Sequence, residues 1–124
     1  MTVREVAQLL EARFLCCEDQ GSRQVYSAFA SDMMSDVLAF VQEDTILLTG
    51  LINSQSVRTA EMLDLPAVVF VRGKNPHQDA VERAAMIGMP ALTTQMTMYE
   101  VCGRLFAAGL APASIEDHDG EYEV

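Results

Sequence analysis

Three short stretches of the chain combine glycine, positive charge and neutral hydrogen-bonding side chains in the way an anion site requires. They are Thr49-Gly50-Leu51-Ile52-Asn53, Arg72-Gly73-Lys74-Asn75 and Thr93-Thr94-Gln95-Met96. Gly50 and Gly73 let backbone approach a ligand closely, and Arg72 and Lys74 form the densest positive charge in the chain. Asn53, Thr94 and Gln95 offer neutral hydrogen bonds. A phosphate or carboxylate group fits that chemistry. The same residue types also serve as ordinary turn and cap residues, which any fold with such loops requires.

A second cluster, Ser31, Asp32, Ser35 and Asp36, brings hydroxyls and carboxylates together, and one helical turn puts both carboxylates on one side. Such a set can hold a metal or activate water, but helix capping and a solvated face explain it without function and are the favoured reading. Ser31 and Asp32 therefore join the candidate ligand-binding residues, and no metal site is expected. His77 and His118 each lack partners of metal-ligand spacing. Cys16 and Cys17 are adjacent, so on a strand they point to opposite faces; with Cys102 they read as packed core thiols. No catalytic residue or cofactor is expected, because no nucleophile has a base beside it in the sequence. The patterns G-x-x-x-x-G-K-S/T and G-x-G-x-x-G are both missing, which argues against nucleoside triphosphate hydrolysis.

The elements that must position these loops follow from periodicity. Thr2 with Glu5 has capping-box spacing, and Val3, Val6, Ala7 and Leu10 recur at helical intervals, predicting a first helix that ends near Arg13. "FLCC" and "RQVYSAFA" read as two extended segments around a polar turn. Ser31 or Asp32 then caps a helix with Met33, Met34, Val37, Leu38 and Val41 on one face and Asp36 and Gln42 opposite. From residue 45 a β-type run precedes a helix-type run three times: "TILLTG" and "NSQSVRTAEMLD", "PAVVFV" and "PHQDAVERAAMIG", "PALTTQ" and "TMYEVCGRLFAAGL". Pro76 suits a first helical turn, Thr97 with Glu100 repeats the capping-box spacing, and Gly88 and Gly109 fall where helices should stop.

Runs such as Ala67-Val68-Val69-Phe70-Val71 are apolar throughout, as in strands covered on both faces. The expected fold is therefore a three-layer α/β/α domain with a mainly parallel central sheet. Its three candidate loops should share the carboxyl edge of that sheet, where ligands of open α/β folds sit. The domain is expected to span 1–110, followed by an acidic, loosely docked tail over 111–124.

The chain has 124 residues, enough for one such core. A net charge of −10 with eight scattered Lys and Arg excludes a nucleic-acid surface. No apolar run approaches a membrane span, and three cysteines make no disulfide framework, so the expected location is the cytoplasm. The eight methionines serve mainly as core filler, with an oligomer contact through part of the set.

Ser31-Asp32-Met33-Met34-Ser35-Asp36-Val37, the turn Leu63-Asp64-Leu65 and the stretch Gly88-Met89-Pro90-Ala91-Leu92 together resemble the DRTGG domain family, over nearly the whole chain to about Leu110. That resemblance implies a three-layer α/β domain related to the N-terminal domain of HPr kinase/phosphorylase. It also implies a homodimer with a regulatory role, as in the nucleotide-regulated region of certain pyrophosphatases. The stretch matching the signature that names the family is Ser22-Arg23-Gln24-Val25-Tyr26-Ser27, which keeps the arginine alone. Two functions follow as expectations. One is a regulatory domain binding a small anionic effector such as an adenine nucleotide. The other is a protein-interaction subunit that has lost the effector site and acts through a protein partner.

Overall fold

The computed structural model describes residues 1–41 and 43–115; Gln42 and most of the acidic tail, His118 included, lie outside the described residues. The elements run α1 (Val3–Leu9), β1 (Arg13–Cys16), a 3-10 turn (Glu18–Gln20), β2 (Ser27–Ala30), α2 (Met34–Phe40), β3 (Thr45–Thr49), α3 (Ser54–Met62), β4 (Val68–Phe70), α4 (Gln78–Met86), β5 (Ala91–Thr93), α5 (Met98–Ala107) and β6 (Ala111–Pro112).

Six strands form one sheet in the order β1-β5-β4-β3-β2-β6. All neighbours are parallel except β1, which runs antiparallel to β5 at one edge. The chain steps from β2 to β5 in one direction, and a crossover has one favoured hand, so the intervening helices fall on one face. Met34 and Val37 of α2, Val57 and Ala60 of α3, and Ala80 and Ala84 of α4 accordingly pack with Leu47, Val68 and Phe70. Between β5 and β6 the direction reverses, so α5 lies on the opposite face. There Val101 and Leu105 join Val3, Val6 and Leu10 over Ile46, Leu48, Val69 and Val71. The strand period of two thus divides the continuous apolar runs between two cores. Each fully buried side chain of Leu or Phe size contributes roughly 1.5–3 kcal/mol. This is the three-layer, mainly parallel α/β/α architecture that the sequence predicts.

Four of the five α-helices among the described residues end by one device. After α1, α3, α4 and α5 a residue of positive φ (Glu11, Asp64, Gly88, Gly109) reverses the chain. The next N–H then returns to a carbonyl of the last turn: Ala12 to Ala7, Leu65 to Ala60, Met89 to Ala84, Leu110 to Leu105. Gly88 and Gly109 stop helices where expected. Glu11 does the same without being glycine, so α1 ends at Leu9, not near Arg13, and Arg13 opens a strand.

Other local expectations need correction. Neither Ser31 nor Asp32 caps α2: the cap position is Met33, which makes no side-chain cap bond. Ser31 Oγ instead accepts from Met33 N–H in a local turn (2.9 Å). The buried face of α2 holds Met34, Val37 and Val41, while Met33 is 60% and Leu38 44% exposed. Pro76 precedes α4, whose cap is His77, so it lies outside the first turn. Ala111 and Pro112, assigned by composition to the tail, add a short parallel strand beside β2.

Candidate functional site

Because β2, β3, β4 and β5 are parallel, their carboxyl ends deliver Ser31-Asp32, Thr49-Gly50, Arg72-Gly73 and Thr94-Gln95 to one edge of the sheet. Asn53 stands at the start of α3, where its side-chain oxygen accepts from Gln55 N–H at 3.0 Å. All eight residues selected from the sequence therefore share the edge, but they play unlike parts.

The centre is Asp32. Its Oδ1 accepts from Gly50 N–H at 2.6 Å and from the Thr49 hydroxyl at 3.2 Å. Its Oδ2 stands 3.8 Å from Arg72 Nη2, both side chains being about half exposed. The Arg72 guanidinium lies directly over Gly50, in the space a Cβ there would occupy. A backbone N–H and a guanidinium thus converge on one carboxylate, which is the donor set of an anion site. The short bond to the backbone is the stronger element. The longer, half-exposed ion pair is worth less than about 1 kcal/mol.

Arg72 reaches this position through an unfavourable backbone. It adopts φ 66° and Gly73 φ 65°, and Lys74 N–H returns to Val71 O at 3.4 Å. Positive φ at both central residues is the signature of a type I′ turn, a setting that favours Gly, Asn or Asp, not Arg. Left-handed conformation costs an L-residue about 1–2 kcal/mol. Two bonds hold the turn: Arg72 N–H to Met96 O and Gly73 N–H to Thr94 O, each 2.8 Å. The sequence carries no signal for this strain, nor for the pairing of Asp32 with Gly50.

The chain leaves β4 for a helix on one face and β5 for a helix on the other, so the topological switch point lies between them, the usual place for a ligand. Here that crevice is sealed. The two backbone bonds just named extend the ladder past the strand ends, and the exposed Gln95 lays its amide over Gly73. Thr94 is turned inward: its hydroxyl donates to Leu10 O at 2.7 Å, accepts from Met96 N–H at 3.2 Å, and is buried. It orders the loop and ties β5 to the end of α1. The open part of the edge is the half-exposed pair of Asp32 and Arg72, with Gly50 buried beneath the guanidinium.

The remaining candidates disperse. Asp36 is exposed on α2, and among the described residues no three His, Cys, Asp or Glu gather as a metal site. Of the methionines, Met34, Met89 and Met96 are core, whereas Met33, Met62 and Met86 are exposed. Cys16 and Cys17 depart from expectation, since they do not point to opposite faces. Cys17 lies beyond β1 at φ 60°, and both thiols donate to carbonyls beyond or within α4, at Met89 and Ala84. All three cysteines are half-buried. Away from the edge, Ala28, Leu48, Cys102, Leu105, Phe106 and Pro112 help to line an apolar cavity of about 160 Å³ between α5 and the β2–β6 margin. Among the described residues no helix is long and apolar enough to cross a membrane.

No protein-family model matches the chain, and no curated protein is similar to it in sequence. Among solved structures it is similar to the CBS and DRTGG domains of the regulatory region of Clostridium perfringens pyrophosphatase, in complex with the activator diadenosine tetraphosphate. Identity is 14%, the TM-score is 0.66, and the match covers 96% of this chain and 51% of that one. The chain therefore spans about half of that regulatory region. The likeness is one of fold.

Proposed function

We propose that this protein is a non-catalytic regulatory domain that binds a small anionic effector, such as an adenine nucleotide, at the carboxyl edge of its sheet and acts as a homodimer. The observation that carries the reading is the convergence of Gly50 N–H and the Arg72 guanidinium on a single carboxylate. A phosphate placed there would meet the same donors. Ser31, Asn53, Gly73, Thr94 and Gln95 shape and order the loops around it, and Asp32 sets the charge the effector must overcome. Support for a nucleotide comes from the resemblance to the DRTGG family and from the fold shared with a region that binds diadenosine tetraphosphate. Thermal-shift and calorimetric titration of the dimer against AMP, ADP, ATP and diadenosine tetraphosphate tests the reading. Saturable binding of at least one supports it, and no binding at millimolar ligand contradicts it.

A second reading is an interaction subunit for another protein, favoured by the apolar cavity beside α5 and by Phe106, which is 70% exposed at its rim. On that reading Phe106→Ser abolishes capture of the partner, while substitutions at Arg72 leave it unchanged. Sedimentation of the same variants reports whether the dimer uses this face.

A further inference from the structure

Cys16 and Cys17 take no part in the effector edge, yet their geometry is specific. Pairing of β1 with β5 is irregular between Phe14 and Cys16, and Cys17 follows in left-handed conformation, φ 60° and ψ 36°. Along a regular strand consecutive side chains diverge; the turn at Cys17 swings its thiol back toward the side of Cys16. Cys16 Sγ donates to Met89 O at 3.4 Å and Cys17 Sγ to Ala84 O at 3.8 Å. The two acceptors belong to one closed turn, since Met89 N–H also bonds Ala84 O. The thiols interact with each other as well, and neither is fully enclosed.

Two thiols on one side of the chain form a bidentate sulfur ligand. Joining them directly would be strained, because adjacent Cα atoms stand about 3.8 Å apart, closer than the roughly 4.4 Å minimum of ordinary disulfides. A single atom bridging both sulfurs relieves that constraint by adding a bond on each side. The surroundings select the kind of atom. Each sulfur already has a carbonyl acceptor, Met89 O for Cys16 and Ala84 O for Cys17, and burial pushes the Cys16 thiol up to about 11. The Cys16 thiol therefore holds its proton, and hard, oxygen-seeking cations have little to hold. A soft centre that bonds both sulfurs and displaces their protons suits the pair.

We propose that Cys16 and Cys17 form a vicinal dithiol site that takes one thiophilic trivalent centre of the organoarsenical class. With an arsenoxide, two As–S bonds form, two S–H bonds and the As–O linkage break, and the oxygen leaves as water with both protons. Arsenic remains trivalent, so nothing is oxidised or reduced.

Phenylarsine oxide added to the reduced, folded protein tests this by intact mass and thiol titration. One arsenical should add per chain and consume two of the three thiols, with release by a small dithiol but not by a monothiol. Cys102→Ser, which leaves the pair untouched, should retain the full adduct, and Cys16→Ser or Cys17→Ser should each lose the monothiol-resistant form. The proposal is overturned if Cys102→Ser removes the adduct, if the arsenical bridges two chains, or if reaction occurs only after unfolding in urea.

Discussion

Arg72 is the residue on which strain and site chemistry coincide, and replacing it separates the two. Arg72→Ala and Arg72→Gly remove the same side chain and the same half-exposed pair with Asp32. Both keep the N–H that bonds Met96 O. They differ in backbone alone. At φ 66° alanine retains the left-handed penalty of about 1–2 kcal/mol, which glycine escapes. Glycine in turn gives the unfolded chain extra freedom worth about 0.4–1 kcal/mol. The difference favours Arg72→Gly by about 0.5–1 kcal/mol. For a domain of this size that is a melting temperature higher by about 2–5 °C than that of Arg72→Ala. Paired thermal and urea unfolding measures it directly. If Arg72→Ala proves as stable as Arg72→Gly, or more so, the turn is not held in the left-handed region and the strain argument fails.

Further outcomes follow from the same geometry. Asp32→Asn keeps an acceptor for Gly50 N–H but removes a like charge from the site, so calorimetry should show anion affinity rising about fivefold, in line with roughly 1 kcal/mol for a half-exposed charge. Gly50→Ala drives a methyl into the Arg72 guanidinium; stability should change little, because that group is the end of a flexible side chain, while effector affinity drops several-fold. Thr94→Val leaves the Leu10 carbonyl and Met96 N–H without their partner, which should cost about 1–3 kcal/mol in urea unfolding. Cys16 is raised to about 11 from 9.0, first by burial. Its contribution to stability is full below pH 9.0 and lost as pH rises toward about 11. An alkaline melting series should therefore fall less steeply for Cys16→Ser than for the parent.

Much of the architecture was legible because it rests on continuous apolar runs. Ile46-Leu47-Leu48 and Ala67 through Val71 announce strands covered on both faces, and three strand-to-helix repeats fix the shared loop edge. Gly88 and Gly109 mark helix ends because glycine is the residue that most readily takes the positive φ of that reversal. Glu11 and Asp64 make the same reversal with residues that carry no such mark, so periodicity alone does not locate the end of α1. β6 is two residues docked on β2, too short for any periodic signal. Within the site, residue type located the loops but not side-chain direction. Thr94 looked like a free hydrogen-bonding group and is instead committed to Leu10, while Asp32 looked like a helix cap and instead organises Gly50. Both depend on contacts 84 and 18 residues away along the chain, beyond the reach of local pattern. The paired thiols escaped for a related reason: alternation holds only while the strand continues, and Cys17 has already left it.

The central claim is that Arg72 and Gly50 form an anion-effector site at the carboxyl edge. Calorimetric titration of the adenine nucleotide panel into the parent and Arg72→Gly proteins, at matched ionic strength, tests it most directly, with thermal unfolding of the glycine variant as the check on its fold. The parent should bind saturably, and Arg72→Gly should lose tenfold or more in affinity. Equal affinity in the two proteins, or no heat of binding in either, would contradict it.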